Sequence, residues 1–562
     1  MRFSPLLGVL SLGSLTSAFY LPGVAPTDYK KNDKVPLYVN RLTPGTSEKR
    51  PGLHALLSYN YYHPELNFCQ PKDGPPHEVS ESLGSILFGD RILTSPFELL
   101  MGRNETCKKL CATRKYAPEQ ADFVARRIWQ NYRLNMLVDG LPASTKMVDG
   151  AGKEDYSLGF LLGYTEAAGN DRASQPFIFN HYNFYIDFHQ VASRGRGGKA
   201  SDDNARYRVV GVTVQPESRS STEDNRQPSG ANCADDTPVP LHSHTDVLFT
   251  YSVFWTPSTT AWATRWDRYL SIDDPNIHWF SLVNSAIIVV FLTSMVGMVL
   301  LRALRKDIRR YNQLDLNEDV QDDSGWKLVH GDVLRAPRNP MLLSVLLGSG
   351  AQLFFMAGVT IAFALLGFLS PSNRGSLGTA AILLYALLGF VGGYVSARVY
   401  KALGGDAWKH NIVLTPVLVP AIVFCVFFFL NLFVFFQGSS GAVPFGTMLA
   451  LVCIWFVISV PLSAAGSWRG FRVPAPEPPV RTNQIPRQIP PSPTYLRPIP
   501  SMLLAGILPF GAIFVELFFI MNSIWFHKMY YMFGFLFICY GIMVTLLPPA
   551  LWSGQANDDG RL

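Results

Sequence analysis

Seven long apolar stretches fill the C-terminal half of the 562-residue chain and constrain its fold more than any other feature. Each holds at least about 20 predominantly apolar residues, enough for an α-helix to cross a hydrocarbon core of about 30 Å. Helices satisfy their own backbone groups inside lipid, so we predict a polytopic α-helical membrane protein. The predicted spans are 277–301, 342–369, 375–397, 411–436, 442–464, 502–524 and 529–550.

The N-terminal 276 residues have a different character. Arg2, the apolar run 6–15 and the small residues 16–18 are typical of a cleavable secretory signal, which we place at 1–18. The apolar run is too short to span a bilayer. The polar remainder, 19–276, is predicted to be a large lumenal domain.

The basic residues predict how the spans are oriented. Sixteen Lys and Arg residues fall in alternate connections, whereas the opposite connections hold only Arg374 and Lys528. Positive charge collects on the cytosolic side, so this asymmetry predicts a lumenal N-terminal domain. The segments predicted to be cytosolic are 302–341, 398–410, the proline-rich loop 465–501 and the tail 551–562.

Four cysteines lie in the predicted lumenal domain: Cys69, Cys107, Cys111 and Cys233. An oxidising lumen favours two disulfides among them, and the sequence leaves all three connectivities open. Asn104 begins the sequon Asn-Glu-Thr, so we expect a glycosylation site there.

Alternating apolar residues predict a β-rich lumenal domain. Segments 183–191, 207–215 and 247–255 have the period of two and the β-branched and aromatic enrichment of strands. Helical spacing predicts one helix over 117–137. The polar, aperiodic segment 218–246 is expected to be a mobile excursion from the core.

No residue pattern indicates catalysis or a cofactor. The sequence has no H-E-x-x-H, G-x-S-x-G or phosphate-binding glycine loop. His181, His189, His242 and His244 lack ligand partners at recognisable spacing, so we expect ordinary histidines and no metal site. The net charge of +6 reflects basic loops beside the spans, which indicates contact with a lipid bilayer and not with nucleic acid. We therefore predict a protein that is not an enzyme.

Glu516 lies within the sixth predicted span and is a functional candidate. A carboxylate at mid-span costs about 2.5–3.5 kcal/mol on insertion scales, so it should face the bundle interior. Two interpretations remain open: a functional acid, as in an ion or small-molecule transporter or channel, or a structural hydrogen bond to a neighbour such as Asn431 or Gln352.

Small residues recur at helix-packing spacing in two spans. Gly389 and Gly393 form a G-x-x-x-G motif, and Ser344 and Gly348 form a weaker version. Packing within the bundle accounts for both pairs, and a surface for the membrane helices of other proteins would have the same spacing.

Several sequence blocks resemble the nonaspanins, the transmembrane nine superfamily. They include FYLPGVAP (19–26), ESLGSILFGDRILTSPFEL (81–99), GWKLVHGDVLRAP (325–337), GFLSPSNRG (367–375), GYVSARVYK (393–401) and NQIPRQIP (483–490). The resemblance implies a lumenal domain on a nine-helix bundle in Golgi and endosomal membranes. It also implies a role in sorting other membrane proteins to the cell surface, with links to adhesion and phagocytosis.

The resemblance weakens at the C-terminus. The family continues through two further spans to a tail signal that coatomer reads, whereas this sequence stops at SGQANDDGRL (553–562). We therefore expect a chain truncated by about two helices and lacking the coatomer signal. The favoured function is a non-catalytic sorting factor that binds client membrane proteins through its small-residue-rich helices and its lumenal domain. The alternative is a transporter or channel that uses Glu516.

Overall fold

The computed structural model describes two compact units. The described residues are 25–45, 57–148 except 73, 154–167, 174–191, 205–270 except 225–228 and 234, 335–369, 374–475, 498–525 and 533–544, with single residues between 287 and 309. One unit comprises residues 1–273 with 367–379 and 425–449, and the other comprises the rest. The predicted signal 1–18, most of the span 277–301 and the tail 551–562 lie outside the described residues.

A six-stranded sheet forms the centre of the N-terminal domain. Its strands, in spatial order, are β11 (Glu154–Leu158), β10 (Ser144–Val148), β16 (Arg206–Glu217), β15 (His181–Val191), β20 (Thr250–Pro257) and β5 (Glu105–Lys109). Its long strand β15 pairs antiparallel with β16 and parallel with β20. Alternation along β15 follows from its half-buried position, because Phe184 and Ile186 are fully buried whereas Tyr185 between them is 37% exposed.

A four-stranded sheet and five two-stranded ladders complete the β structure. The four-stranded sheet has the order β3-β2-β8-β9, with β2 (Leu37–Val39), β3 (Leu93–Thr94), β8 (Met136–Val138) and β9 (Leu141–Pro142). The ladders pair β1 (Lys34–Val35) with β4 (Leu99–Leu100), β7 (Arg133–Leu134) with β12 (Phe160–Leu161), β13 (Gly163–Ala167) with β14 (Ser174–Ile178), β17 (Thr222–Glu223) with β18 (Ala231–Asn232), and β6 (Arg114–Lys115) with β19 (Asp246–Val247). The predicted β-rich character is thus confirmed.

Large apolar side chains fill the core of this domain. Phe97 packs edge-on against Phe184 and Tyr251, with ring centroids 5.5 Å and 5.3 Å apart. Such edge-to-face aromatic pairs add to the stabilisation that burial of their area provides.

The helix predicted over 117–137 is wrong in its second half. The first helix of the domain is the short α1 (Leu83–Leu87). The second, α2 (Pro118–Trp129), begins with Pro at its first position and ends where Asn131 adopts a positive φ of 54°. Tyr132 and Met136 are buried as the helical spacing suggested, but Tyr132 directly precedes β7 and Met136 is the first residue of β8. A periodic apolar pattern cannot distinguish these cases where the chain turns from helix to strand.

The prediction that 218–246 is a mobile excursion is also wrong in part. Its described residues include β17 and β18, and Val239 and Leu241 are buried in the core. A disulfide at Cys233 fastens the same segment. Polar composition concealed these few anchoring residues.

The C-terminal half is helical. Three helices, or four if one bent pair counts as a single span, are long and apolar enough to cross a membrane among the described residues. The helices are α3 (Pro340–Leu365), α4 (Ser376–Leu387), α5 (Gly389–Ala402), α6 (Trp408–Phe436), α7 (Phe445–Ile454), α8 (Val460–Arg472), α9 (Pro498–Trp525) and α10 (Phe533–Val544). The bent pair is α4 and α5, which meet at 40°. A π-helical turn, Trp455–Ser459, joins α7 to α8.

Two prolines inside α6 remove backbone donors from the helix. Pro420 cannot donate to the carbonyl of Pro416, which would be its acceptor in an unbroken helix. The indole Nε1 of Trp455 donates to that carbonyl at 3.0 Å instead. A neighbouring helix thus supplies the donor that the sequence removes, as a bilayer requires.

Candidate functional site

The small residues of the predicted helix-packing motifs lie where helices contact each other. Gly389 and Gly393 face the π-helical turn and α8, and an added Cβ at Gly389 would lie 3.0 Å from the carbonyl oxygen of Ser459. A Cβ at Gly393 would overlap the carbonyl oxygen of Ser463. Helix α5 therefore contacts α8 backbone to backbone, which requires glycine.

The opposite side of α5 packs against α3. A Cβ at Gly348 would lie 2.6 Å from both the Gly392 carbonyl oxygen and the Ser396 Cβ. Ser344 is fully buried one turn before Gly348. All four predicted packing residues are thus occupied by contacts within the chain, which leaves none of them free to receive a client helix.

A hydrogen-bonded polar cluster fills the interior between α3, α5 and α6. The Asn411 amide donates to Ser344 Oγ at 3.2 Å and to Ser396 Oγ at 3.1 Å, and Ser396 Oγ lies 2.9 Å from Thr415 Oγ1. All four side chains are buried. Buried polar groups in a bundle need partners, and here they find them in one another.

Glu516 in α9 is fully buried. The two partners considered for it also have hydrogen bonds of their own. Gln352 donates to the Tyr385 carbonyl at 2.7 Å, and Asn431 bridges to the backbone of Val443 at the α6–α7 turn.

The four candidate cysteines form two pairs, Cys69–Cys111 and Cys107–Cys233. The second pair closes 126 residues and links β5 to the segment after β18. Asn104 precedes β5 and is exposed, and its Oδ1 accepts from the backbone N–H of Trp255. Glycosylation at Asn104 stays a prediction.

The histidines do not gather around a common point. His181 is buried beside β20 and contacts Thr250 at 2.7 Å and Asn183 at 3.0 Å. Burial lowers the pKa of His181, so the ring is neutral at pH 7. Within the part of the chain that the structure describes, no three His, Cys, Asp or Glu residues could hold a metal ion.

A buried contact between distant segments was not anticipated from the sequence. We define the loop junction as Ser58, residues 81–91, residues 374–379 and residues 438–442. Its central ion pair joins Arg374 to Asp90 at 3.1 Å, 284 residues apart in sequence. The segments meet within one compact unit, so the N-terminal domain is fastened to the turns that lead into α4 and α7.

Backbone contacts surround this ion pair. Ser82 caps the N-terminus of α1, and its hydroxyl donates to the Arg374 carbonyl at 2.8 Å. The Gly84 N–H donates to Thr379 Oγ1 at 2.9 Å. Gly84 and Gly375 face each other so closely that a Cβ on either would overlap the other segment. Gly375 also has a positive φ of 71°, which glycine adopts without strain.

The second turn is held by hydroxyl and guanidinium groups. Ser439 Oγ accepts from the Ser58 backbone N–H at 3.0 Å, and the Ser440 N–H donates to the Ser58 carbonyl at 2.9 Å. Arg91 donates to the Ala442 carbonyl at 2.6 Å.

Burial and charge act in opposite directions on Asp90. Burial raises the pKa of its carboxyl, but the Arg374 charge and hydrogen bonds from Asn40, Ser85 and Arg374 outweigh that effect and leave the pKa below its usual value. Asp90 is therefore ionised at neutral pH.

The loop junction joins two of the blocks on which the family resemblance rested, 81–99 and 367–375. Their glycines and serines gave no local indication of contact, because the pairing is between segments nearly 300 residues apart. The one signal in the sequence that could have suggested a close backbone contact is the presence of glycine and polar residues in blocks whose neighbouring residues are apolar.

Comparisons with known proteins agree with that resemblance. The family described as endomembrane protein 70 matches residues 58–547. Transmembrane 9 superfamily member 1 of Saccharomyces cerevisiae is 44% identical over 95% of this chain and 83% of its own length. Member 2 of Rattus norvegicus is 43% identical over 96% of this chain and 83% of its own length, and member 10 of Arabidopsis thaliana is 43% identical over 95% and 82%. None of these names states a catalytic activity.

Proposed function

The chain belongs to the transmembrane 9, or endomembrane protein 70, family and is an endomembrane protein, and from that premise we propose that it sorts other membrane proteins without catalysing a reaction. It resides in Golgi and endosomal membranes with its β-rich domain in the lumen, and it binds the transmembrane helices of its clients.

The observation that carries this proposal is the distribution of residues in the helices. Small and polar side chains form contacts inside the bundle, whereas many large apolar side chains are exposed on its outer faces. Phe429 and Phe433 of α6 are 60% and 71% exposed, and Phe354 of α3 is 44% exposed. Packing of large side chains is the main attraction available to a second helix in lipid, so these outward faces are the surface we assign to clients.

The loop junction adds a second argument. It fastens the N-terminal domain to the turns before α4 and α7 through a partly buried ion pair and close backbone contacts. A client held at a helix face and at the lumenal domain would thus be held by connected parts of the chain.

Site-specific photocrosslinking in cells tests the proposal. A photoreactive residue is placed at Phe354 or Phe433, and the control position is Met147, which is 45% exposed on the N-terminal domain. Membrane proteins whose surface level falls when the gene is deleted should crosslink to the helix positions and less to Met147. Crosslinks to lipid alone at both helix positions would count against client binding by these helices.

Transport remains the alternative that Glu516 motivates. The buried polar cluster at Asn411 fills the space between three helices, which favours a packed interior over a conducting path. Flux measurements on reconstituted vesicles separate the two functions, because Glu516→Gln would abolish transport and leave client sorting intact.

A further inference from the structure

A cavity of about 400 Å³ opens at the end of the bundle where α5 and α8 end and α6 begins. We define the basic pocket by its lining residues Lys401, Asp406, Trp408, Ile412, Trp468 and Arg472. The volume is within the usual range of small-ligand sites. All of these residues belong to one compact unit and to segments with the basic composition expected of the cytosolic side.

The pocket combines positive charge with oriented donors. Arg472 lies over the Trp468 ring, with its guanidinium carbon 3.7 Å from the ring centroid. Stacking in this way fixes the planar guanidinium and leaves its N–H edges available for an anion. The N-terminus of the 29-residue helix α6, at Trp408, adds the positive end of a helix dipole to the same space.

Lys401 has a structural role that also prepares the pocket. Its ammonium group donates to the carbonyls of Phe471 and Val473 at 2.7 Å and 2.8 Å, which caps the end of α8. These bonds offset the negative end of the α8 dipole. They also hold the Lys401 ammonium group at the pocket wall. Asp406 is the single acid among the lining residues, so the lining carries a net positive charge.

The apolar part of the pocket indicates where its ligand comes from. Trp408 and Trp468 are 49% and 53% exposed, and indole rings favour the boundary between lipid and water. Ile412, about one turn after Trp408 in α6, extends the apolar wall of the pocket. A ligand that fits both halves has a phosphate group beside a hydrocarbon chain.

We propose that the basic pocket binds the phosphate of an anionic phospholipid of the cytosolic leaflet. Arg472 holds the phosphate through its paired N–H groups, Lys401 and the α6 N-terminus add positive charge, and the two tryptophans line the glycerol and upper acyl region. This inference concerns lipid recognition and does not depend on client sorting.

Thermal unfolding of the purified full chain tests the proposal. The chain is placed in phosphatidylcholine bilayers with increasing phosphatidylserine, and the stabilisation by phosphatidylserine gives an apparent affinity. Arg472→Gln should weaken that affinity about fivefold, the typical contribution of one basic residue at a membrane surface. Arg469→Gln is the matched control. Arg469 carries the same charge and is exposed, and it lies about one helical turn before Arg472, outside the pocket lining.

Each outcome decides the question. Selective loss in Arg472→Gln with unchanged melting in pure phosphatidylcholine supports the site, whereas equal loss in both variants, or loss in neither, overturns it. Glycerol 3-phosphate in solution forms a further arm, and full stabilisation by this soluble phosphate with none by phosphatidylserine would overturn the assignment to lipid. If Arg472→Gln does not fold, Trp408→Ala at an exposed wall should weaken the phosphatidylserine effect, and an unchanged effect would contradict the proposal.

Discussion

The N-terminal domain and the helix bundle place opposite residues in their interiors. In the domain, the largest fully buried side chains are aromatic, such as Tyr182, Phe160 and Phe184. In the bundle, the fully buried residues include Ser344, Ser396 and Asn411, while Phe433 and Phe436 are 71% and 75% exposed. The solvent explains the difference, because water drives apolar surface inward and lipid does not.

Different interactions stabilise the N-terminal domain and the helix bundle. The domain depends on apolar burial, reinforced by two disulfides. The bundle depends on close approach of helix backbones and on internal hydrogen bonds. Substitutions of the same kind should therefore have different effects in the two regions.

The largest expected effect is in the aromatic core. Phe184→Ala should destabilise the domain by about 3–5 kcal/mol, because the residue is fully buried in β15. Phe433→Ala removes the same atoms from a lipid-exposed face and should change stability by less than about 0.5 kcal/mol. Hydrogen exchange of the full chain in nanodiscs measures both, and similar costs at the two positions would break the comparison.

The next effect concerns glycine inside and outside the bundle. Gly393→Ala should destabilise the bundle by about 1–3 kcal/mol, because the new methyl group overlaps Ser463. Gly350→Ala, at a helical position with open space around it, should stabilise by up to about 1 kcal/mol. Thermal unfolding in detergent compares the two variants, and a shift of the same sign in both would contradict the assigned packing.

A smaller effect is expected at the loop junction. Arg374→Gln leaves Asp90 without its ion-pair partner and should cost about 1–2 kcal/mol, less than a fully buried pair because the Arg374 side chain is 36% exposed. Faster hydrogen exchange in residues 82–88 would report the loss. Arg103→Gln, at an exposed ion pair on the domain surface, is the control and should leave that exchange unchanged.

The pH dependence of the loop junction follows from the same carboxyl. The pKa of Asp90 is lower in the folded chain than in the unfolded chain, so its contribution is complete above the unfolded value and declines only as the pH falls through the folded value. Exchange protection in residues 82–88 should thus be the same at neutral pH and at about pH 5. A loss of protection at about pH 5 would show that another group controls the contact.

The smallest effect is expected in the polar cluster. Asn411→Ala removes the hydrogen bonds to Ser344 and Ser396 and should cost about 0.6–1.7 kcal/mol, which lies between the average and the largest energy found for single bonds of this kind in a bilayer. A double-mutant cycle with Ser344→Ala isolates the Asn411–Ser344 bond. Strictly additive costs would indicate that the two side chains are not coupled.

The sequence allowed the strands and helices with strong periodicity to be predicted. Segments 183–191 and 207–215 lie inside β15 and β16, and the apolar run 411–436 lies inside α6. Segment 247–255 is divided between β19 and β20, since two residues between them leave the ladder. The helix predicted over 117–137 is too long, because the apolar spacing continues beyond the helix end at Trp129.

Contacts between distant segments could not be predicted in the same way. The spacing of Gly389 and Gly393 suggested helix packing, but it could not distinguish an internal partner from a client helix. The loop junction depends on Asp90 and Arg374, whose charges have no local pattern and meet only in the folded chain. The basic pocket likewise joins residues 401–412 to residues 468–472 through the packing of α5 against α8.

Protease protection of sealed microsomes tests most directly the claim that the aromatic-cored domain faces the lumen and the basic pocket faces the cytosol. Protease added outside should cleave the connections predicted to be cytosolic and leave a protected fragment that contains the N-terminal domain with Asn104. Digestion of that domain in intact microsomes, with the basic connections protected, would contradict the account.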